Sequence, residues 1–312
     1  MSIFKYIQSL VFSKNTKYNI VRVLLILTVI LVGILTYKKM NLERFNEGFQ
    51  QDSPYVVKRN DNIYDDFYVD IYDEIFKPEI ECNLIYKTII DMTEPTQKNS
   101  VFLDIGSKTG SMIQLLTKNG YNAYGIETSD AMIDFSRKKY ANLPVKQGDV
   151  MLSMTYDRDT FSHIICSHFM VYNFNDKVAF FRNCKHWLIS NGYLILHLVD
   201  PAKFDPIVAG GKPNILKTPQ KYSDTRITDT VIDFVDFKYK SNYDFEKENI
   251  VVITETFTDK YTNNVRQNQQ ELYMESIDDI LTTAQYCGFI AKGKVSLLED
   301  PHQYIYILEN PM

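Results

Sequence analysis

The chain has 312 residues, 45% of them hydrophobic and 23% charged, with 34 Lys and Arg set against 39 Asp and Glu. That is the composition of a folded globular protein, and a net charge of −5 leaves no bulk basic field to hold a phosphate backbone, so nucleic acid is an unlikely substrate. Four widely spaced cysteines, Cys82, Cys166, Cys184 and Cys287, form no C-x-x-C pair, which argues against a zinc site and suits a reduced compartment.

In chain order, the first predicted element follows a short tail at 1–17. Residues 18–37 (YNIVRVLLILTVILVGILTY) carry one charge, Arg22. As a helix this stretch would span about 30 Å, roughly one hydrocarbon core. Tyr18 and Tyr37 suit the two interfaces, and Lys38-Lys39 close the segment. The long charged stretch ahead of it, and the lack of a small-residue cleavage site, favour an uncleaved single-pass membrane anchor over a signal peptide. Basic residues flank it almost equally, so charge leaves its orientation open. Residues 38–62 read as a linker, and the folded region is expected at 63–312. There, DDFYVDIYDEIF at 65–76 predicts an amphipathic helix.

The most informative run is VFLDIGSKTG, residues 101–110. An apolar strand ends in Asp104 and breaks into a Gly-bearing turn. A helical stretch follows from Ser111, with Met112, Leu115 and Leu116 on one face. Strand, turn and helix together aim backbone N–H groups at a ligand. Asp104 would repel a pyrophosphate, and the turn lacks the G-x-G-x-x-G spacing of a dinucleotide site. A ligand carrying ammonium and sulfonium charge fits better, which favours S-adenosylmethionine. Residues 121–126 predict a second strand, with Glu127 at its end where a ribose is reached. Ser129 is a good N-cap for the next helix, with Met132, Ile133 and Phe135 as its buried side. Residues 144–148 predict a third strand, with Asp149 at its tip, placed to accept from an adenine amino group. Further on, alternation around Val235, Phe237 and Tyr239, the run at 250–257 and residues 269–274 predict strands inside a long insertion at about 201–275.

Together these features resemble the class I S-adenosylmethionine-dependent methyltransferases. Asp104 with Gly106, Lys108 and Gly110 stands where that family has an acidic residue and a G-x-G-x-G loop. Glu127 matches its second motif and Gly148-Asp149 its third. FSHIICSH at 161–168 looks like strand four, NGYLILHL at 191–198 like strand five and SIDDILTTAQYCGF at 276–289 like the last helix. The resemblance covers roughly residues 62–310 and departs at Lys108, where the family has glycine. That side chain would point to solvent, crowd the methionine end of the cofactor, or pair with its carboxylate.

The resemblance implies an α/β fold: a doubly wound, seven-stranded sheet whose last strand is antiparallel. The strands are expected near 101–104, 121–126, 144–148, 161–166, 193–199, 289–297 and 303–309, with a turn at Glu299-Asp300-Pro301. An antiparallel β insertion after strand five would stand over the carboxyl edge, and one N-terminal transmembrane helix precedes the whole. S-adenosylmethionine is the implied cofactor, at Asp104, Gly106, Ser107, Gly110, Glu127, Thr128, Met132, Asp149, Val150, Ser167 and Tyr68. Tyr68 and Tyr72 are either lids over it or ordinary core. His168, after strand four, is a candidate base or substrate contact set against a structural role, and Tyr172, in the following loop, is a candidate substrate contact or simply packs, whereas His197 reads as a core histidine. The methyl acceptor stays open. A cofactor made in the cytosol points to a catalytic domain on the cytosolic side of a membrane. The competing expectation is a methyltransferase-fold scaffold without turnover.

Overall fold

The computed structural model describes residues 19–46, 51, 53–213, 218–297, 300 and 302–312; of the first helix, side chains are described for 23–37. The chain divides into two units, residues 1–50 and 51–312.

The first unit contains helix α1 (Asn19–Asn46). Most of its described side chains are apolar and exposed, Val29 by 69% and Val23 by 55%. Among the described residues no helix is long and apolar enough to cross a membrane. The predicted span at 18–37 is therefore not shown: its described side chains, at 23–37, fall short of the roughly 20 apolar residues a crossing needs. Tyr18 lies outside the described residues. The helix also continues through Lys38-Lys39 to Asn46, so the segment after Tyr37 does not begin as an irregular linker.

The second unit opens with strand β1 (Tyr55–Arg59) and helices α2 (Asp66–Phe76) and α3 (Pro78–Thr93). An alternating series follows: β2 (Val101–Ile105), α4 (Ser111–Lys118), β3 (Asn122–Glu127), α5 (Asp130–Lys139), β4 (Val145–Gln147), β5 (Phe161–Cys166), α6 (Lys177–Trp187) and β6 (Leu188–Val199). Four strands come next, β7 (Asp229–Asp233), β8 (Phe237–Lys247), β9 (Ile250–Asp259) and β10 (Val265–Tyr273). Helix α7 (Ile277–Tyr286), β11 (Ile290–Ser296) and β12 (Gln303–Asn310) complete the chain.

The main sheet has the order β11-β12-β6-β5-β2-β3-β4. Its strands are parallel except β12, which runs antiparallel to both β6 and β11. The seven strands and their last reversal are as the sequence predicts, although Glu299 and Pro301 of the predicted turn lie outside the described residues. The residues themselves favour this arrangement. Every residue of β5 (FSHIIC) is buried, the pattern of a parallel strand covered on both faces. Ser129 caps α5 by accepting from the Met132 N–H at 3.1 Å, and Ser276 caps α7 by accepting from the Asp279 N–H at 3.1 Å. On one face Ile85, Ile89, Met112 and Leu116 pack on Phe102, Ile165 and Ile305. On the other, Phe180, Phe181 and Trp187 pack on Ile164, Leu194 and Leu196.

The insertion forms a second sheet, in the order β1-β10-β9-β8-β7. Strands β7 to β10 are an antiparallel meander, and β1 joins its edge in parallel, from Tyr55 opposite Val265 to Arg59 opposite Gln269. Residues 55–59 are thus strand rather than linker. Their edge partner lies far away in sequence, where no local pattern could reveal it. The flap is tied to α2 by Arg266, which is 5% exposed. Its Nη1 donates to both oxygens of Asp65 at 2.8 Å, and its Nη2 donates to the Ile63 carbonyl at 2.9 Å.

Candidate active site

The loop after β2 is held from beneath: the Gly106 and Ser107 N–H groups donate to the Ile126 carbonyl at 2.9 and 3.2 Å. Gly106 has φ +64, and a Cβ there would lie 2.7 Å from the Met170 sulfur, so only glycine fits without displacing Met170. Gly110 has φ +81 and would drive a Cβ against Leu143. The loop after β5 turns sharply, with His168 (φ 49) and Phe169 (φ 58) both left-handed.

These two loops face the flap across a cavity of about 260 Å³. Gly106, Lys108, Ser167 and His168 line its lower side. Tyr64, Tyr68 and Tyr72 line the side nearest α2, and Glu255, Asn268 and Gln270 come from the flap. The structure therefore gathers Gly106, Ser167, His168 and Tyr68 of the predicted residues around one space. Asp104, Ser107, Glu127, Met132 and Val150 are buried and do not themselves line the cavity, Thr128 is exposed and Asp149 is half-buried.

Asp104 is buried at the end of β2, and burial pushes its carboxyl up to about 7, with the Glu127 charge adding to the rise and His168 opposing it. Glu127 departs from expectation. Instead of standing open for two ribose hydroxyls, its carboxylate accepts the backbone N–H groups of Lys108 (3.0 Å), Thr128 (2.9 Å) and Ser129 (3.1 Å). The Thr128 hydroxyl also reaches Oε1 at 3.4 Å, whereas Oε2 takes only the Lys108 N–H, so capacity for a further hydroxyl remains on Oε2. Asp149 accepts from the Met151 N–H at 2.8 Å in an Asx turn.

His168 is not placed as a free base. Its Nδ1 lies 2.8 Å from Glu81, and its Nε2 lies 3.3 Å from the Cys82 sulfur. Burial works against its charge, but Glu81 and Cys82 outweigh that and hold it well above the ordinary histidine range. Burial likewise opposes the charge on Glu81, which His168 and His197 keep well below the usual carboxylate range. His197 Nδ1 stands 2.8 Å from the other Glu81 oxygen, an ion-pair distance without hydrogen-bond alignment, and its Nε2 is 3.1 Å from Gln303. His197 is fully buried, as predicted for a core histidine. Tyr172 is a correction. It is fully buried, and its hydroxyl both donates to the Val199 carbonyl (3.1 Å) and accepts from the Val199 N–H (3.0 Å). The left-handed pair His168-Phe169 turns the chain inward, so Tyr172 ties down the end of β6.

Sequence reasoning passed over Glu81 and Glu255, and both carried a signal. Glu81 shares a helix face with Ile85 and Ile89, and Glu255 alternates in phase with the buried Val251 and Phe257. A carboxylate on an apolar face needs a partner. Glu255 has three, accepting from Tyr68 Oη at 2.9 Å, Tyr239 Oη at 2.8 Å and Asn268 Nδ2 at 3.3 Å. Burial raises its pKa, and those three donors work against the rise.

No curated protein sequence matches the chain at a significant level. A family model for the methyltransferase domain matches residues 103–196, which run from β2 into β6. Among solved structures, an S-adenosylmethionine-dependent methyltransferase from Clostridium acetobutylicum superposes with a TM-score of 0.59 at 15% identity, covering 78% of this chain and 98% of that one. The CcbJ methyltransferase from Streptomyces caelestis gives 0.59 at 14%, covering 81% and 100%. The sugar N-methyltransferase KedS8 from Streptoalloteichus gives 0.56 at 16%, covering 74% and 87%. At such identities a likeness speaks for the fold, and the fold of residues 51–312 is that of the class I methyltransferases.

Proposed function

We propose that the chain is an S-adenosylmethionine-dependent methyltransferase whose acceptor is a small, hydroxyl-rich amine. The observation that carries this is the cavity between the two ligand loops and the flap, beside a buried acidic group at the end of β2. The residues suit the cofactor. Asp104 is a buried carboxylate whose charge a cationic ligand would stabilise, and the Ser107 and Ser111 hydroxyls are buried without partners. Bound there, the cofactor supplies a methyl group already activated by its sulfonium. The protein contributes alignment and exclusion of water, which can supply roughly 7–11 kcal/mol of the barrier. His168, held charged by Glu81, acts as a donor or a fixed charge rather than as a base. On the acceptor side, Tyr and Phe rings alternate with Glu255, Asn268 and Gln270, a mixture suited to a ring bearing hydroxyls and an amine. The likeness to a sugar N-methyltransferase supports the same class.

The test is transfer of a labelled methyl group from S-adenosylmethionine to a panel of amino sugars and their hydroxy counterparts. Turnover confined to the amines is expected. Binding of S-adenosylhomocysteine with no transfer to any acceptor would favour the scaffold reading.

The N-terminal segment is further proposed to attach the protein to a membrane, with the catalytic domain on the cytosolic side. What supports this is the apolar sequence of residues 18–37 and the exposure of the described side chains within it. Leaving such side chains in water forfeits roughly 1.5–3 kcal/mol for each large one. The full chain is expected to sediment with membranes and resist alkaline carbonate, and a chain starting at Gln51 to remain in the supernatant. Recovery of the full chain in the carbonate supernatant would count against attachment.

A further inference from the structure

Lys108 occupies the middle of the ligand loop, where the resembled family has glycine. Its backbone is left-handed (φ 49), a conformation that glycine adopts freely and lysine only at a cost of about 1 kcal/mol. Strain of this kind persists where the surroundings impose it, commonly at ligand sites. The Lys108 ammonium stands 3.6 Å from the centroid of the Tyr64 ring, and both residues line the cavity. Burial disfavours its charge, but Tyr64, Glu127 and Asp61 more than compensate, so it remains a cation. Its backbone N–H is committed to Glu127, whereas its side chain makes no ion pair with a carboxylate among the described residues. The other cations on the cavity wall differ. Lys212 is paired with Asp205 at 3.2 Å, His168 with Glu81 at 2.8 Å, and Lys77 is exposed at the end of α2.

Strand order gives the cavity a direction. Along the carboxyl edge the sheet runs β4, β3, β2, β5. With Asp149 at the adenine end and Glu127 at the ribose, the methionine end of the cofactor falls over the loops after β2 and β5. That end carries one ammonium and one carboxylate. Asp104 supplies negative charge there, and Lys108 is the cation of the β2 loop. Resting on the methyltransferase reading, we propose that the Lys108 ammonium binds the α-carboxylate of the cofactor, so that this chain uses a side-chain charge where the resembled family has glycine.

The test compares the full-length protein with Lys108→Met, Lys108→Arg and Lys108→Gly. Calorimetry would use S-adenosylmethionine and its decarboxylated form, which lacks only the carboxylate. The unaltered protein should prefer S-adenosylmethionine by about tenfold or more, the worth of one charged hydrogen bond. Lys108→Met should lose that preference while binding the decarboxylated form as before, and Lys108→Arg should retain it. Retained binding of the decarboxylated form also shows that the variant is folded. An undiminished preference in Lys108→Met overturns the proposal. So does tighter S-adenosylmethionine binding in Lys108→Gly, which would mean that lysine fills the cofactor's own space. If the unaltered protein binds neither compound, the methyltransferase reading itself fails.

Discussion

Asp104→Asn is expected to stabilise the protein at pH 8 while weakening its hold on the cofactor. The carboxylate is buried at the end of β2, and no side-chain hydrogen bond or ion pair to it is found among the described residues. Burial raises its pKa to about 7, with Glu127 adding and His168 opposing, against roughly 3.9 in an unfolded chain. A raised folded-state value means that the native state binds more protons than the unfolded state between those limits. The associated stability is present below about pH 3.9 and lost as pH rises through 7. At pH 8 the native protein therefore carries a penalty on the order of 4 kcal/mol, about three pKa units. Asparagine keeps the shape and removes the charge. Urea denaturation should show Asp104→Asn more stable at pH 8, with the advantage shrinking towards pH 4, and calorimetry should show S-adenosylmethionine bound at least about tenfold more weakly. A variant less stable than the parent at pH 8 would contradict the electrostatic account.

Glu127→Ala should be the most damaging single change at the site. The carboxylate gathers three backbone donors, from Lys108, Thr128 and Ser129, at a position only 2% exposed. Removing it strands all three N–H groups, each worth about 1–3 kcal/mol when left unpaired in a buried place. Partial relaxation would leave a net loss on the order of 3–5 kcal/mol. Because one of the donors belongs to the loop after β2, that loop should lose its fixed form as well. Affinity for S-adenosylhomocysteine is expected to fall by about a hundredfold or more, and the thermal midpoint should drop clearly. Glu127→Gln keeps one acceptor oxygen and should lie between. Unchanged affinity in Glu127→Ala would remove ribose and loop anchoring together as roles for this residue.

Much of the main sheet was legible because its signals are local. Apolar runs at 101–105 and 161–166 are long enough to fill a buried parallel strand, and Asp104, Glu127 and Asp149 punctuate the strand ends. Three of the four meander strands, β8 to β10, were legible for the same reason, since their alternation is short-ranged, whereas β7 (Asp229–Asp233) was not. Strand β1 was not, because YVVKR gains its meaning only from Gln267 and its neighbours on β10. The site was legible in its loop and less so in its side chains. Glu127 stands out in the sequence by its place at the end of β3, yet its commitments to backbone N–H groups depend on how two loops meet. The packing role of Tyr172 was not legible because two consecutive left-handed residues, His168 and Phe169, redirect the chain after β5, and a phenylalanine gives no sign of such a turn. Glu81 and Glu255 belong to no motif, and their only sequence signal is an acidic residue on an otherwise apolar face.

The pairing of β1 with β10 sets a clock on the birth of the molecule. Tyr55 and Val265, first partners in that register, are separated by most of the folded unit, and Asp65 likewise waits for Arg266. At about 5–20 residues per second, a ribosome needs roughly 10–40 seconds to deliver the second member of each pair after the first. Throughout that interval the early strand has no edge to join and α2 lacks its guanidinium clasp, although the strands after Val101 can already begin to assemble. Joining of the flap to β1 and to the start of α2 therefore waits until residues 265 and 266 have been made.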